Sequence, residues 1–325
     1  MTLTNNILIT GGAGFIGTHL TNQLISERRK VTILDNLSVG KIENLKQWSN
    51  NPNFTFVKGD LKTPKDIVKA IQGSETVFHL AANPEVQVGE AHPNIHFQEN
   101  LVATYNLLEA MRKNKTAKIM VFFSTSTIYG EATTLLTPED YGPLTPISTY
   151  GATKLGCEAL VTSYAHTFNL RALILRLANI VGPKANHGVI PDFIRKLQTN
   201  PNCLEILGDG NQNKSYLYID DCVNAIIHAT KTFLRSRHKV DIYNIGSKDQ
   251  ITVKNIAKII IEEMHLQNVN ITFTGGVDGG RGWKGDVKNM CLSTEKLAKT
   301  GWKPKYTSEQ AIRETSQSLL KEHHP

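Results

Sequence analysis

Between residues 7 and 176 the chain alternates short apolar runs with longer stretches whose apolar positions recur at helical spacing. The short runs predict strands at 7–10, 31–34, 54–57, 76–79, 118–123 and 172–175, and the longer stretches predict helices near 15–27, 64–72, 94–113 and 148–168. Such alternation implies an α/β fold of the Rossmann type: a doubly wound parallel sheet with helices on both faces. Beyond Asn179 the pattern is less regular, with a turn at Gly182 and Pro183, loops at 208–213 and a glycine-rich stretch at 275–285. This half reads as a smaller C-terminal substrate domain. A helix near 220–233 and a strand near 241–245 can rejoin the main sheet, so the domains are expected to interleave: 1–178 with about 217–245, and 179–325.

Composition narrows the partners. The formal charge is +7, yet no basic run is longer than Arg28, Arg29, Lys30, so a lysine-rich solvated surface is favoured over a nucleic-acid partner. A modest positive field still suits a diphosphate ligand. No apolar run reaches bilayer length and the first residues lack a cationic, apolar leader, so a cytoplasmic protein without membrane attachment is expected. Cys157, Cys203, Cys222 and Cys291 are too scattered for a paired motif and read as reduced thiols. His79 and Trp283 are assigned structural roles, since no HxxxH or similar spacing supports a metal.

Gly11, Gly14 and Gly17 sit between the first strand and the first helix, a spacing that lets backbone N–H groups approach a pyrophosphate at a helix N-terminus. Asp35, 18 residues after Gly17, closes the second strand, where a carboxylate can accept from an adenosine ribose and would repel a 2'-phosphate; NAD is the expected cofactor. A turn-forming Asp ahead of Asn36 is the plainer alternative. Asp60, after the third strand, is either an adenine contact or a strand-end cap.

Tyr150 and Lys154, four residues apart, share a face of a helix. A lysine there, together with a cationic nicotinamide, would lower the phenol pKa from about 10 and make Tyr150 a base. A surface pair is the alternative, and the order along the chain argues against it. The glycine turn, the Asp after strand two, the hydroxyl cluster Ser124, Thr125, Ser126, Thr127 and then Tyr150 with Lys154 follow one another.

With TGGAGFIG (10–17), DNLSVG (35–40), GDL (59–61), HLAA (79–82), STSTIYGE (124–131), YGATK (150–154) and RLANIVGP (176–183), the chain resembles the extended short-chain dehydrogenase/reductases over essentially its whole length, most closely the UDP-glucose 4-epimerase branch. The resemblance implies a cofactor site of Gly11, Gly14, Phe15, Ile16, Gly17, Asp35, Asn36, Ser38, Gly40, Asp60, Leu61, Leu80, Ala81, Ala82, Asn100, Tyr150 and Lys154. It makes Tyr150 the base, Lys154 the residue that holds Tyr150 and the nicotinamide ribose, and Thr125 the hydroxyl that bonds the reacting sugar oxygen. Ser126, Asn179, Val189, Ile190, Lys214, Tyr216, Arg281, Asp286 and Met290 are the further substrate contacts it implies.

Related dehydratases carry Asp and Glu, and decarboxylases the Glu, where this chain has Ser126 and Thr127, so carbon-4 epimerisation of a UDP-hexose is the expected reaction. Three departures leave the sugar open. Lys214 replaces an arginine, Arg281 lies farther from Asp286 than in the common form, and Met290 stands at the slot whose bulk selects plain or N-acetyl hexoses. A UDP-N-acetylglucosamine or UDP-glucuronate 4-epimerase, a reductase, dehydratase or decarboxylase on the same scaffold, and a non-catalytic NAD sensor are the alternatives. Extra apolar residues on the helices near 94–113 and 148–168 suit the homodimer that the resemblance implies, or further burial within one chain.

Overall fold

The computed structural model describes residues 3–323 and divides the chain into two compact units. The first contains the chain through Ile128, Thr149–Arg176 and Val223–Tyr243; the second contains Tyr129–Ser148, Leu177–Cys222 and the chain from Asn244.

The parallel sheet has seven strands. In chain order they are β1 (Asn6–Thr10), β2 (Lys30–Asp35), β3 (Phe54–Lys58), β4 (Thr76–His79), β5 (Ile119–Thr125), β6 (Arg171–Leu177) and a last strand, Val240–Ile245. Across the sheet the order is Val240–Ile245, β6, β5, β4, β1, β2, β3. The chain therefore runs outward from β1 in one direction, returns, and continues from β4 in the other. Loops leaving the carboxyl ends of β1 and β4 diverge, which is where such folds seat ligands. Strands this buried on both faces are nearly continuous in Ile, Leu, Val and Phe, as parallel strands must be. Leu8, Val77, Met120, Phe122 and Ile174 pack with Leu107, Met111, Cys157 and Val161 of the covering helices.

The end of the β1–β4 ladder is pinned by a buried histidine. Thr10 and His79 are register partners, and the His79 ring bonds Thr10 Oγ1 through Nδ1 (2.7 Å) and Thr104 Oγ1 through Nε2 (2.9 Å). Thr104 uses its own hydrogen on the Asn100 carbonyl, so Nε2 carries the imidazole proton and Nδ1 accepts from Thr10. Burial, helped by the charge of Lys154, pushes the His79 pKa down to about 3.

The predicted helix near 94–113 is interrupted. It consists of Pro93–His96, a π-helical stretch Phe97–Val102, and Ala103–Lys113. The wide turn contains Asn100, whose Oδ1 accepts from Asn83 N (2.8 Å) and whose Nδ2 donates to Thr153 Oγ1 (3.3 Å). A π-bulge re-aims a side chain without ending the helix. Residues Ile42–Trp48 add a 3₁₀ helix that the apolar pattern does not predict, burying Leu45 and Trp48.

In the second unit Tyr216–Tyr218 runs parallel to Asn179–Val181, and Asn270–Phe273 to Cys203–Ile206. Asn213–Lys214 lies between Ile251–Thr252 and Asn289–Met290. The helices Val189–Thr199, Val253–Glu263 and Ser308–His323 surround a core of Ile190, Phe193, Ile206, Ile256, Ile260 and Ile312. Among the described residues, no helix is long and apolar enough to cross a membrane. All four cysteines are free thiols, Cys203 partly exposed and the rest buried.

Two stability predictions follow from buried polar groups in the first unit. Glu158 and Arg176, both almost wholly buried, join the helix Thr149–Thr167 to β6 (Nη2 to Oε2, 2.8 Å). Glu158→Ala removes the buried carboxylate paired with this guanidinium, so denaturant titration should show a loss of about 3–5 kcal/mol. His79 is neutral in the folded chain down to about pH 3, whereas an unfolded histidine takes a proton below about 6.5. Its proton linkage is therefore silent above 6.5 and erodes stability as pH falls from there towards 3. Unfolding free energies measured between pH 6 and 4 should decline less steeply in His79→Gln than in wild type.

Candidate active site

The glycine turn is a steric necessity. Gly11 has φ +73°, and a Cβ there would lie 2.7 Å from Ala81 N; a Cβ on Gly17 would lie 2.5 Å from the Gly11 carbonyl oxygen. Gly14 differs, since the nearest atom its Cβ would meet is the Gly11 oxygen at 3.3 Å. The helix Phe15–Ser26 begins there without a side-chain cap. Uncapped donors at the positive end of a helix fit a pyrophosphate.

Asp35 ends β2 beside this turn. Its Oδ2 accepts from Ala13 N (2.9 Å) and its Oδ1 from Leu37 N (2.8 Å), so the carboxylate organises both the glycine turn and its own. Burial raises its pKa, opposed by those two bonds. Asn36 accepts from Ser38 N and donates to Asp60 Oδ2 (3.1 Å), while Gly40 packs on Ala13 too closely for a Cβ. Asp60 also accepts from Lys62 N; burial works to raise its carboxyl, but the bonds from Lys62 and Asn36 and the charge of Lys62 hold it below the usual range. Leu61 has its side chain in the core, and its carbonyl accepts from Asn106 Nδ2. Leu80 N donates to the Thr10 carbonyl, and Ala81 lies against Gly11; Ala82 follows in the same loop.

The helix Thr149–Thr167 buries Gly151, Lys154, Glu158, Val161 and Ala165, a stripe at helical spacing with two charged members. Lys154 Nζ lies 4.5 Å above the Phe122 ring, and burial brings its pKa down to about 8 against the opposing charges of Cys157 and Glu158. Tyr150 keeps some surface, yet burial of its phenol pushes the pKa up to about 12, moderated by a hydrogen bond with Thr125. In the protein alone desolvation dominates, and both groups are driven towards neutrality; the lowering expected from Lys154 acting together with a cationic nicotinamide concerns the NAD-bound state. Thr125 closes β5, accepting from Thr127 N and lying 3.2 Å from Thr127 Oγ1. Ser126 is buried at the start of the turn Ser126–Tyr129. The buried Ser124 hydroxyl has no hydrogen-bond partner among the described residues.

In the second unit, Asn179 Nδ2 donates to the Ser215 carbonyl (3.2 Å), Val189 opens a helix after Gly188 (φ +97°), and Ile190 and Tyr216 have their side chains in the core. Lys214 Nζ binds Asp286 Oδ1 at 2.5 Å, and Arg281 binds Glu131 Oε1 at 2.6 Å and the Asp286 carbonyl at 3.0 Å. Met290 is the register partner of Lys214 and is buried. Trp283, expected to be structural, has a buried indole N–H with no hydrogen-bond partner among the described residues, and Lys214 Nζ sits 5.7 Å from its ring. Among the described residues, no three His, Cys, Asp or Glu side chains converge as a metal site would require.

Gly14→Ala and Gly17→Ala should separate packing from ligand approach. Gly17→Ala should lower the melting temperature and NAD affinity together, whereas Gly14→Ala should melt near wild type yet bind NAD more weakly, as read by calorimetric titration.

Residues 7–246 match the NAD dependent epimerase/dehydratase family. A Methanocaldococcus jannaschii protein provisionally named a UDP-glucose 4-epimerase is 34% identical, over 94% of this chain and 96% of its own. A crystal structure of a UDP-galactose 4-epimerase superposes with a TM-score of 0.85 at 42% identity, covering 98% of this chain and 99% of that one. The Thermus thermophilus UDP-glucose 4-epimerase, solved with NAD, gives 0.83 at 30% identity, over 97% and 99%. The glycine turn, the buried Tyr150–Lys154 helix and these likenesses together place the chain in the NAD-dependent nucleotide-sugar epimerase/dehydratase family of extended short-chain dehydrogenase/reductases.

Proposed function

We propose that the protein is a UDP-hexose 4-epimerase, interconverting UDP-glucose and UDP-galactose through a transient 4-keto sugar. The observation that carries this reading is the composition of the turn after β5. Thr125, Tyr150 and Lys154 are present, while Ser126 and Thr127, at the positions that hold carboxylates in related dehydratases, are hydroxyl residues, with Thr127 turned to Thr125. Elimination of water or loss of carbon dioxide would have no neighbouring carboxyl group to work with at those positions. The relatives provisionally named or solved as UDP-glucose and UDP-galactose 4-epimerases support the same choice.

Tyr150 takes the proton from the sugar 4-hydroxyl, and Thr125 bonds the same oxygen as it becomes a carbonyl. Bound NAD supplies the hydride acceptor at carbon 4 and a positive ring that offsets the cost of a buried phenolate. Lys154 holds the ribose and favours the phenolate form. Tyr150 then returns its proton once the other face of the sugar has been reduced, so oxidation state is unchanged over the cycle. The first unit serves as the NAD domain and the second as the nucleotide domain, with Asn179, the backbone of Val189 and Ile190, Lys214, Tyr216, Arg281, Asp286 and Met290 as nucleotide and sugar contacts. A cytoplasmic homodimer is part of the same reading; exposed Tyr105 on the helix Ala103–Lys113 and exposed Phe168, just after the helix Thr149–Thr167, support the contact.

Purified protein given no cofactor should interconvert one 4-epimer pair among UDP-glucose, UDP-galactose, UDP-N-acetylglucosamine and UDP-glucuronate, identified by chromatography. Tyr150→Phe should retain NAD and lose turnover by about 10²–10⁴-fold; near-normal turnover removes Tyr150 from the mechanism.

A further inference from the structure

His96 lies outside every motif of the sequence, yet it is fully buried against the residue proposed as the base. Its ring meets Tyr150 edge-on, with centroids 5.6 Å apart and planes at 63°. Nε2 lies 3.0 Å from the Glu85 carbonyl and Nδ1 2.9 Å from Thr149 Oγ1. A carbonyl can only accept, so Nε2 carries the proton and Nδ1 accepts from the Thr149 hydroxyl. Burial lowers the His96 pKa, against the Glu85 bond and the charge of Glu99, which keeps this tautomer neutral.

We propose that His96 is a positioning residue for Tyr150, fixing through Thr149 the first turn of the helix from which the phenol projects. Thr149 is the first residue of that helix. Four residues beyond His96, Asn100 bonds Thr153 Oγ1, which itself donates to the Tyr150 carbonyl (3.0 Å). The interrupted helix that follows β4 therefore grips the turn both ahead of Tyr150 and one turn after it, by His96 and Asn100. Gly89 admits the arrangement: a Cβ there would lie 2.0 Å from Thr149 Oγ1 and 2.8 Å from His96 Nδ1. An unmoored first turn would let the phenol shift relative to the substrate hydroxyl, and displacements of that size cost rate without costing ground-state binding.

The inference rests on Tyr150 acting as the base, and its test separates the two. His96→Phe keeps a ring but loses both bonds, Thr149→Val loses the hydroxyl, and His96→Asn places an amide oxygen where Nδ1 was. In steady-state assays on the NAD-loaded enzyme, His96→Phe and Thr149→Val should each lower kcat about tenfold, with KM and bound NAD within about twofold of wild type. The double variant should be no slower than the slower single, and His96→Asn should recover most of the rate. Wild-type kcat in His96→Phe, multiplicative losses in the double variant, or no recovery in His96→Asn would overturn the proposal. Tyr150→Phe is assayed alongside: if it turns over normally both readings fall, and if it is inactive while His96→Phe runs at the wild-type rate, only the role of His96 falls.

Discussion

Taking a phenol and an ammonium out of water costs free energy, and the first unit holds Tyr150 and Lys154 in that condition, with the charges of Cys157 and Glu158 offsetting only part of the cost at Lys154. The phenol is pushed to about 12 and the amine to about 8, each towards its neutral form. What keeps them inside is the frame around them. The stripe of the helix Thr149–Thr167 is buried on β5 and β6, the Glu158–Arg176 pair fastens it to β6, and Lys154 finds the Phe122 face in place of water. On the function proposed here, a cationic nicotinamide beside this helix would lower the phenol pKa most where water is scarce. On that reading depth makes the pair costly alone and responsive when NAD is bound.

Much of this frame was legible in the sequence, because steric and periodic constraints leave marks on residue type. Buried parallel strands have to be apolar throughout, so β1, β2, β3 and β4 could be placed within a residue or two. Gly11 and Gly17 are glycine because backbone atoms occupy the place of a Cβ. Relations between distant segments left no such mark. The π-helical turn at Phe97–Val102 depends on Asn100 meeting Asn83 and Thr153, and nothing in its own stretch of sequence announces those bonds. His96 is a lone histidine, and sequence shows the charged neighbour of Tyr150 but not the depth that raises its pKa in the protein alone.

His79 and His96 illustrate a common solution. In both, an oxygen that can only accept, or whose hydrogen is already spent, fixes the proton on Nε2, and a threonine hydroxyl satisfies Nδ1. Burial disfavours the cationic form of both, bringing the His79 pKa down to about 3 and lowering that of His96. Their contribution is directional bonding between segments that hydrophobic contact alone would leave free to slide.

The second unit meets the opposite electrostatic problem. Lys214, Arg281 and Lys288 are each set against a carboxylate, Asp286, Glu131 and Asp209 respectively. On the function proposed here, a diphosphate would compete with Asp286 for Lys214 rather than meet a bare cation, and lysine offers a point charge instead of a two-pronged donor. Part of the recognition would then pass to neutral donors. The Trp283 indole N–H, buried and unpartnered, is one such group, and an unsatisfied donor gains more from an acceptor than one that must first release its own. Moderate attraction suits an intermediate that must turn over within its site, since binding that is equally strong before and after the chemical step adds nothing to its rate.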